Sequence, residues 1–122
     1  MSATRPILVV DDDPGIRGLI DLALADEGYR VVTATDGAAA LAVLARQRPA
    51  IILLDMRMPI MDGWEFARTY RARPGPHAPI VVVTAAREAT ERAAQIAAEG
   101  VLPKPFRLAE LLAVVATYAG QP

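Results

Sequence analysis

No cysteine occurs in the 122 residues, which removes disulfides, thiolate metal sites and cysteine nucleophiles together. Histidine is reduced to one residue, His77, set in the Pro/Gly-rich stretch "PGPHAP" at 74–79, and it is read as a solvated loop residue. No apolar run approaches the roughly 20 residues of a membrane span, and the opening "MSATRP" lacks the apolar stretch of a signal peptide. A cytoplasmic location with no membrane partner is expected. The formal net charge is only -1 and no basic run is visible, so nucleic acid is not expected as a partner. A Gly-rich phosphate loop is also missing, which argues against direct nucleotide use. Lysine is nearly absent: twelve of the thirteen basic residues are arginine, and Lys104, in "VLPKPF", is the exception. A lone lysine among arginines points to a place that wants a compact ammonium and not a planar fork.

What is present is core-forming material, 53% hydrophobic against 22% charged, and residues 1–122 are read as a single domain. Apolar runs recur at 7–10 (ILVV), 31–34 (VVTA), 51–54 (IILL), 80–83 (IVVV) and 101–102 (VL). Three are continuous and not alternating, as strands covered on both faces are. Helices are predicted over 14–27, 37–46, 63–71, 88–99 and 108–119. Asp13, Asp36 and Asp62 serve as N-caps, Pro14 sits in a first turn, and Gly28, Gly100 and Gly120 act as stops. Five alternating βα units imply an α/β fold: a doubly wound, flavodoxin-like, five-stranded parallel sheet in the order 2-1-3-4-5, with five helices on two faces.

Open parallel sheets bind ligands beyond the carboxyl ends of their strands. The residues just past each apolar run are therefore the ones to inspect. Asp11, Asp12 and Asp13 come after the first, Asp55 after the third, Thr84 after the fourth, and Lys104 after the fifth, beyond Pro103. Asp11, Asp12 and Asp55 would place about three negative charges in one pocket, each raising the others' pKa. Lys104 with a divalent, oxygen-preferring cation restores neutrality, and magnesium suits such a site because it binds few carboxylates and keeps waters to share with phosphate.

Together "VVDDDP", "LLDMRMPIMDG", "VVVTA" and "LPKPF" resemble the receiver domain of bacterial two-component response regulators over nearly the whole chain. The resemblance implies a phosphoacceptor signalling switch, not an enzyme with an external product. In it Asp55 accepts phosphate from a histidine on a sensor kinase or histidine phosphotransfer protein, and the output goes to a downstream effector protein. Asp12 is then a direct magnesium ligand, Asp11 acts largely through water, Asp55 contributes an oxygen and Arg57 its backbone carbonyl. Thr84 and Lys104 hold the phosphoryl group. The bond before Pro105 is expected to be cis, and an aromatic residue is expected three positions before the lysine, where this chain has Val101.

Two other readings carry less. "DDD" also satisfies the Asp-x-Asp of haloacid-dehalogenase-type phosphatases, but only Glu110 remains as an acid after the lysine. A degenerate receiver serving as a constitutive binding module conflicts with the intact Asp12, Asp55, Thr84 and Lys104. The chain ends soon after the fifth helical segment, which suits output through a protein partner. On the first helix Ile16, Leu19, Ile20, Leu22, Ala23 and Leu24 cover about 200° of arc at 100° per residue, wider than a core-facing stripe needs. Ile16 and Leu19, nearest the site, are candidates for docking a histidine-bearing helix. On the fourth helix Ala89, Ala93, Ile96 and Ala97 form the expected inward stripe. With Ile96 its main anchor, that helix should shift cheaply.

Overall fold

Each apolar run becomes a strand because its alternate residues feed two different cores. In the computed structural model, which describes residues 5–122, the elements run β1 (Ile7–Val10), α1 (Pro14–Asp26), β2 (Val31–Ala34), α2 (Gly37–Leu44), β3 (Ile51–Leu54), α3 (Gly63–Ala72), β4 (Ile80–Ala85), α4 (Ala86–Gln95), β5 (Gly100–Lys104) and α5 (Leu108–Ala119). The strands form one sheet in the order β2-β1-β3-β4-β5, and every pairing is parallel. Leu8, Val10, Ile52, Leu54, Ile80 and Val82 point to the side of α2, α3 and α4, where they meet Leu41, Phe66, Tyr70 and Ile96. Ile7, Val9, Ile51, Leu53, Val81 and Val83 point to the side of α1 and α5, against Ile20, Leu24, Leu111 and Val115. This two-sided burial is why the runs do not alternate with polar residues.

The helix starts arise from side-chain chemistry. Asp13 accepts hydrogen bonds from the Gly15 and Ile16 backbone N–H groups, Asp36 from Ala39, and Asp62 from Glu65. Each satisfies an N–H that the first turn would otherwise leave bare. Past α1, Gly28 takes φ +100°, a conformation open to glycine, and turns the chain into Tyr29. Tyr29 is buried, and its hydroxyl donates to the Gly120 carbonyl at 2.7 Å.

Several boundaries depart from the sequence expectation. α1 and α2 stop short of 27 and 46, while β4 and β5 are longer than their apolar runs, so Thr84 and Lys104 lie within the strands. α4 covers Ala86–Gln95 and not 88–99. Ile96 serves as its C-cap, and Ala97 has left the helix at φ +50°. Ala97 is accordingly exposed, and the buried positions of α4 are Ala89, Arg92 and Ala93. An alanine-rich segment carries too little apolar contrast to mark its own end.

Candidate functional site

The sheet register gathers the polar residues on one rim. Val10 is level with Leu54, so Asp11 and Asp55 leave neighbouring strands side by side, and Asp55 N–H donates to the Val10 carbonyl at 2.9 Å. On the far side Thr84 pairs with Pro103 and Ala85 with Lys104. Asp11, Asp12 and Asp55 each present a carboxylate oxygen within 4.8 Å of the others. Asp11, Asp55 and Thr84 are buried, whereas Asp12 and Arg57 are exposed.

Asp11 is the most constrained of the three. Its Oδ2 accepts from Lys104 Nζ at 3.3 Å and its Oδ1 from the Asp13 N–H at 2.9 Å. Its backbone carbonyl accepts from Arg17 Nη1 at 2.8 Å. Arg17 carries no signal of its own in the sequence, where it is one arginine of twelve. Asp55 is raised from the ordinary 3.8 to about 6. Burial is the main cause and the neighbouring Asp11 charge the next, while the Lys104 ammonium and the Arg57 N–H pull the other way. A carboxylate left this uncomfortable is one that a cation or an esterifying group relieves. The donor set is entirely hard oxygen, which fits magnesium.

The loop after β3 is held in place by two glycines. A Cβ on Gly63 would lie 2.8 Å from Met56 Cα and 2.9 Å from the Asp55 carbonyl oxygen. A Cβ on Gly37 would lie 2.9 Å from the Met61 carbonyl oxygen. The N–H groups of Gly63 and Gly37 donate to the Met56 and Met61 carbonyls at 2.8 and 2.9 Å. Only glycine lets two helix starts close on the segment that carries Asp55. At the loop's tip Ile60 is 83% exposed with φ +69°, in the left-handed region that β-branched residues avoid. Asp12, Arg57, Met58, Pro59, Asp62 and Trp64 line an open cleft beside the carboxylates.

The strands that build this rim fall within residues 7–116, which match the family model for the response regulator receiver domain. The chain belongs to this family. It is 45% identical over 109 residues to the response regulator MprA of Mycobacterium leprae (strain TN), a match that takes in 88% of this chain and 47% of that protein. The chain thus spans about half the length of the curated relatives it matches. Among solved structures it is similar to the chemotaxis response regulator CheY4 of Vibrio cholerae, with a TM-score of 0.85 at 34% identity over 95% of this chain and 99% of that one. It is also similar to the receiver domain of a sensor histidine kinase from Pseudomonas aeruginosa PAO1, with a TM-score of 0.87 at 35% identity over 98% of this chain and 100% of that one. That protein was solved with a magnesium ion coordinated in its active-site cleft. Nothing in these comparisons supports the phosphatase alternative, and Asp13, its second aspartate, is occupied in this receiver domain as the cap of α1.

Other residues fall into place around the rim. The Lys104–Pro105 peptide is cis, as is Gly75–Pro76, which nothing in the sequence signals. His77 is an exposed loop residue as expected, with its ring edge-on to Tyr70 and Nε2 at 2.7 Å from the Arg73 carbonyl. Val101 is half-buried against the α2–α4 side. Phe66 is fully buried, whereas Trp64 is only half-buried, at the edge of the cleft. No helix among the described residues is long and apolar enough to cross a membrane.

Proposed function

We propose that this receiver domain takes a phosphoryl group onto Asp55 from a phosphohistidine of a sensor histidine kinase or histidine phosphotransfer protein, and passes the signal on through contacts with an effector protein. The observation that carries the reading is the close grouping of the Asp55, Asp11 and Asp12 carboxylates, with Lys104 bonded to Asp11 from the opposite strand. A carboxylate oxygen of Asp55 attacks phosphorus, the P–N bond to the donor imidazole breaks, and its electron pair stays on that nitrogen. The product is an acyl phosphate. Asp11, Asp12, Asp55 and the Arg57 carbonyl would hold a magnesium ion, which supplies charge neutralisation for phosphoryl oxygens. Lys104 and the Thr84 hydroxyl, brought to the same rim by β5 and β4, are the protein's own donors to the added group.

The domain thereby promotes only its own phosphorylation and dephosphorylation. Residues 1–122 act as one unit in the cytoplasm, with no nucleic acid or membrane as a direct partner. Support for a docking helix comes from α1, where Leu19 is 55% exposed. Ile16, Leu19, Ala85, Lys104, Pro105 and Phe106 line an apolar hollow next to the acceptor. Incubation with acetyl phosphate and magnesium should add one phosphoryl group by intact mass, and Asp55→Asn should add none. Stoichiometric labelling of Asp55→Asn would overturn the assignment.

A further inference from the structure

The fourth helix is tied to the third by a set of contacts that the sequence pattern does not show. Arg92 is a cation with only 7% exposure. Its guanidinium carbon lies 4.8 Å from the centre of the Trp64 ring, and its Nη2 reaches Glu88 Oε1, one turn earlier on α4, at 2.6 Å. The Trp64 indole N–H donates to Gln95 Oε1 at 2.7 Å. Arg71 of α3 donates to the carbonyls of Ile96 and Ala97 just past the helix end. The C-terminal end of α4 is thus fastened to α3. At its N-terminal end Ala85 provides no side-chain cap, and the buried residue is the small Ala89.

That end adjoins the site directly. β4 ends at Ala85 and α4 begins at Ala86, with no loop between them, so a displacement of Thr84 is delivered to the first turn of α4, where Glu88 sits. Glu88 holds Arg92, and Arg92 lies on the ring of Trp64, which itself lines the cleft with Asp12 and Arg57. We propose that the chain Glu88–Arg92–Trp64 couples the phosphoryl site to helix α4, so that engagement of Thr84 changes the contact between Arg92 and the indole. A half-buried cation–π contact of this kind is strong enough to bias a two-state element. It gives this receiver a route to α4 that needs no aromatic residue at position 101. The proposal rests on the phosphoacceptor reading and adds to it the path by which the site is read out.

Trp64 is the one tryptophan in the chain, so its emission reports the contact without labelling. Beryllofluoride, a phosphoryl mimic, is added to magnesium-saturated protein while its binding is followed independently by fluorine NMR. The wild-type protein should change its tryptophan emission on binding. Arg92→Met keeps the apolar stem and removes the charge, and Glu88→Gln breaks only the ion pair at a more exposed position. Each should bind beryllofluoride yet lose at least half of the emission change. A signal arising from the ligand in the cleft itself survives both substitutions, whereas one carried by the helix does not. Normal binding with an emission change that is absent in the wild type, or equally large in both variants, overturns the link alone. Failure of the wild-type protein to bind beryllofluoride at all removes the phosphoacceptor reading, and the link with it.

Discussion

Asp55 is held in its buried place at a cost to the fold, and the sign of that cost is testable. Its folded value of about 6 lies above the ordinary 3.8, so between these values the native state binds more protons than the unfolded chain. Stability from this group is therefore complete below about pH 4 and is lost as the pH rises through about 6. A shift of roughly two units at about 1.4 kcal/mol each sets an upper limit near 3 kcal/mol. Asp55→Asn, which never ionises, should be more stable than the wild type by about 1–3 kcal/mol at pH 8 and should lack the decline between pH 4 and 7. Urea unfolding in the presence of a chelator measures both curves. Parallel curves for the two proteins would show that Asp55 is not strained by its charge. The place of Asp55 on the rim was legible in the sequence, since an aspartate ending a continuous apolar run has one place to go in a parallel sheet. The repulsion from Asp11, 44 positions away along the chain, was legible too, because both residues follow apolar runs; the larger cause, burial, was not, because the depth of a side chain is set by the packing around it.

Among the elements, the start of α3 has the least freedom. Gly63→Ala would drive a methyl group against the Met56 Cα and the Asp55 carbonyl, both of them backbone, and neither yields as a flexible side-chain tip does. A loss of about 2–3 kcal/mol is expected, at the upper end for overpacking. Labelling by acetyl phosphate should slow as well, since the shifted backbone carries Asp55. Thermal unfolding and the labelling rate on the same samples check this. Retention of both would show that the loop has slack. Helix α4 is the opposite case, fastened to α3 by the side chains of Arg92, Trp64 and Arg71. Its apolar pattern named Ala89, Ala93, Ile96 and Ala97 as the inward stripe, but burial goes to Arg92 in place of Ala97. An arginine is buried here because Trp64 and Glu88 neutralise its demands, and Trp64 belongs to another helix. Periodicity reads one helix at a time.

For the molecule as a whole, the charge balance on the rim is uneven. Three carboxylates gather near a single ammonium, so an ion that binds the folded arrangement alone should stabilise it by mass action. Magnesium at about 100 times its dissociation constant contributes about 2.7 kcal/mol, or roughly 10 °C in Tm for a domain of this size. Asp12→Ala should abolish that increment, because Asp12 is the exposed carboxylate facing the open cleft. Differential scanning calorimetry with and without the ion decides, and a shift that persists in Asp12→Ala would place the ion elsewhere.

The order of strands, the two-sided core and the set of polar residues on the rim come from local information in the sequence: continuous apolar runs, caps of aspartate, and polar residues at the run ends. Topology then leaves little choice, since right-handed crossovers bring the ends of β1, β3, β4 and β5 to one rim. The tertiary structure decided what depends on contacts between distant segments. It set the length of β4 and β5 through backbone pairing, the end of α4 through Arg71 on the Ile96 and Ala97 carbonyls, and the attachment of Arg92 to Trp64 across 28 positions. Such contacts arise from geometry in three dimensions, where two side chains meet only after the helices that bear them have packed, and no spacing along the chain announces them.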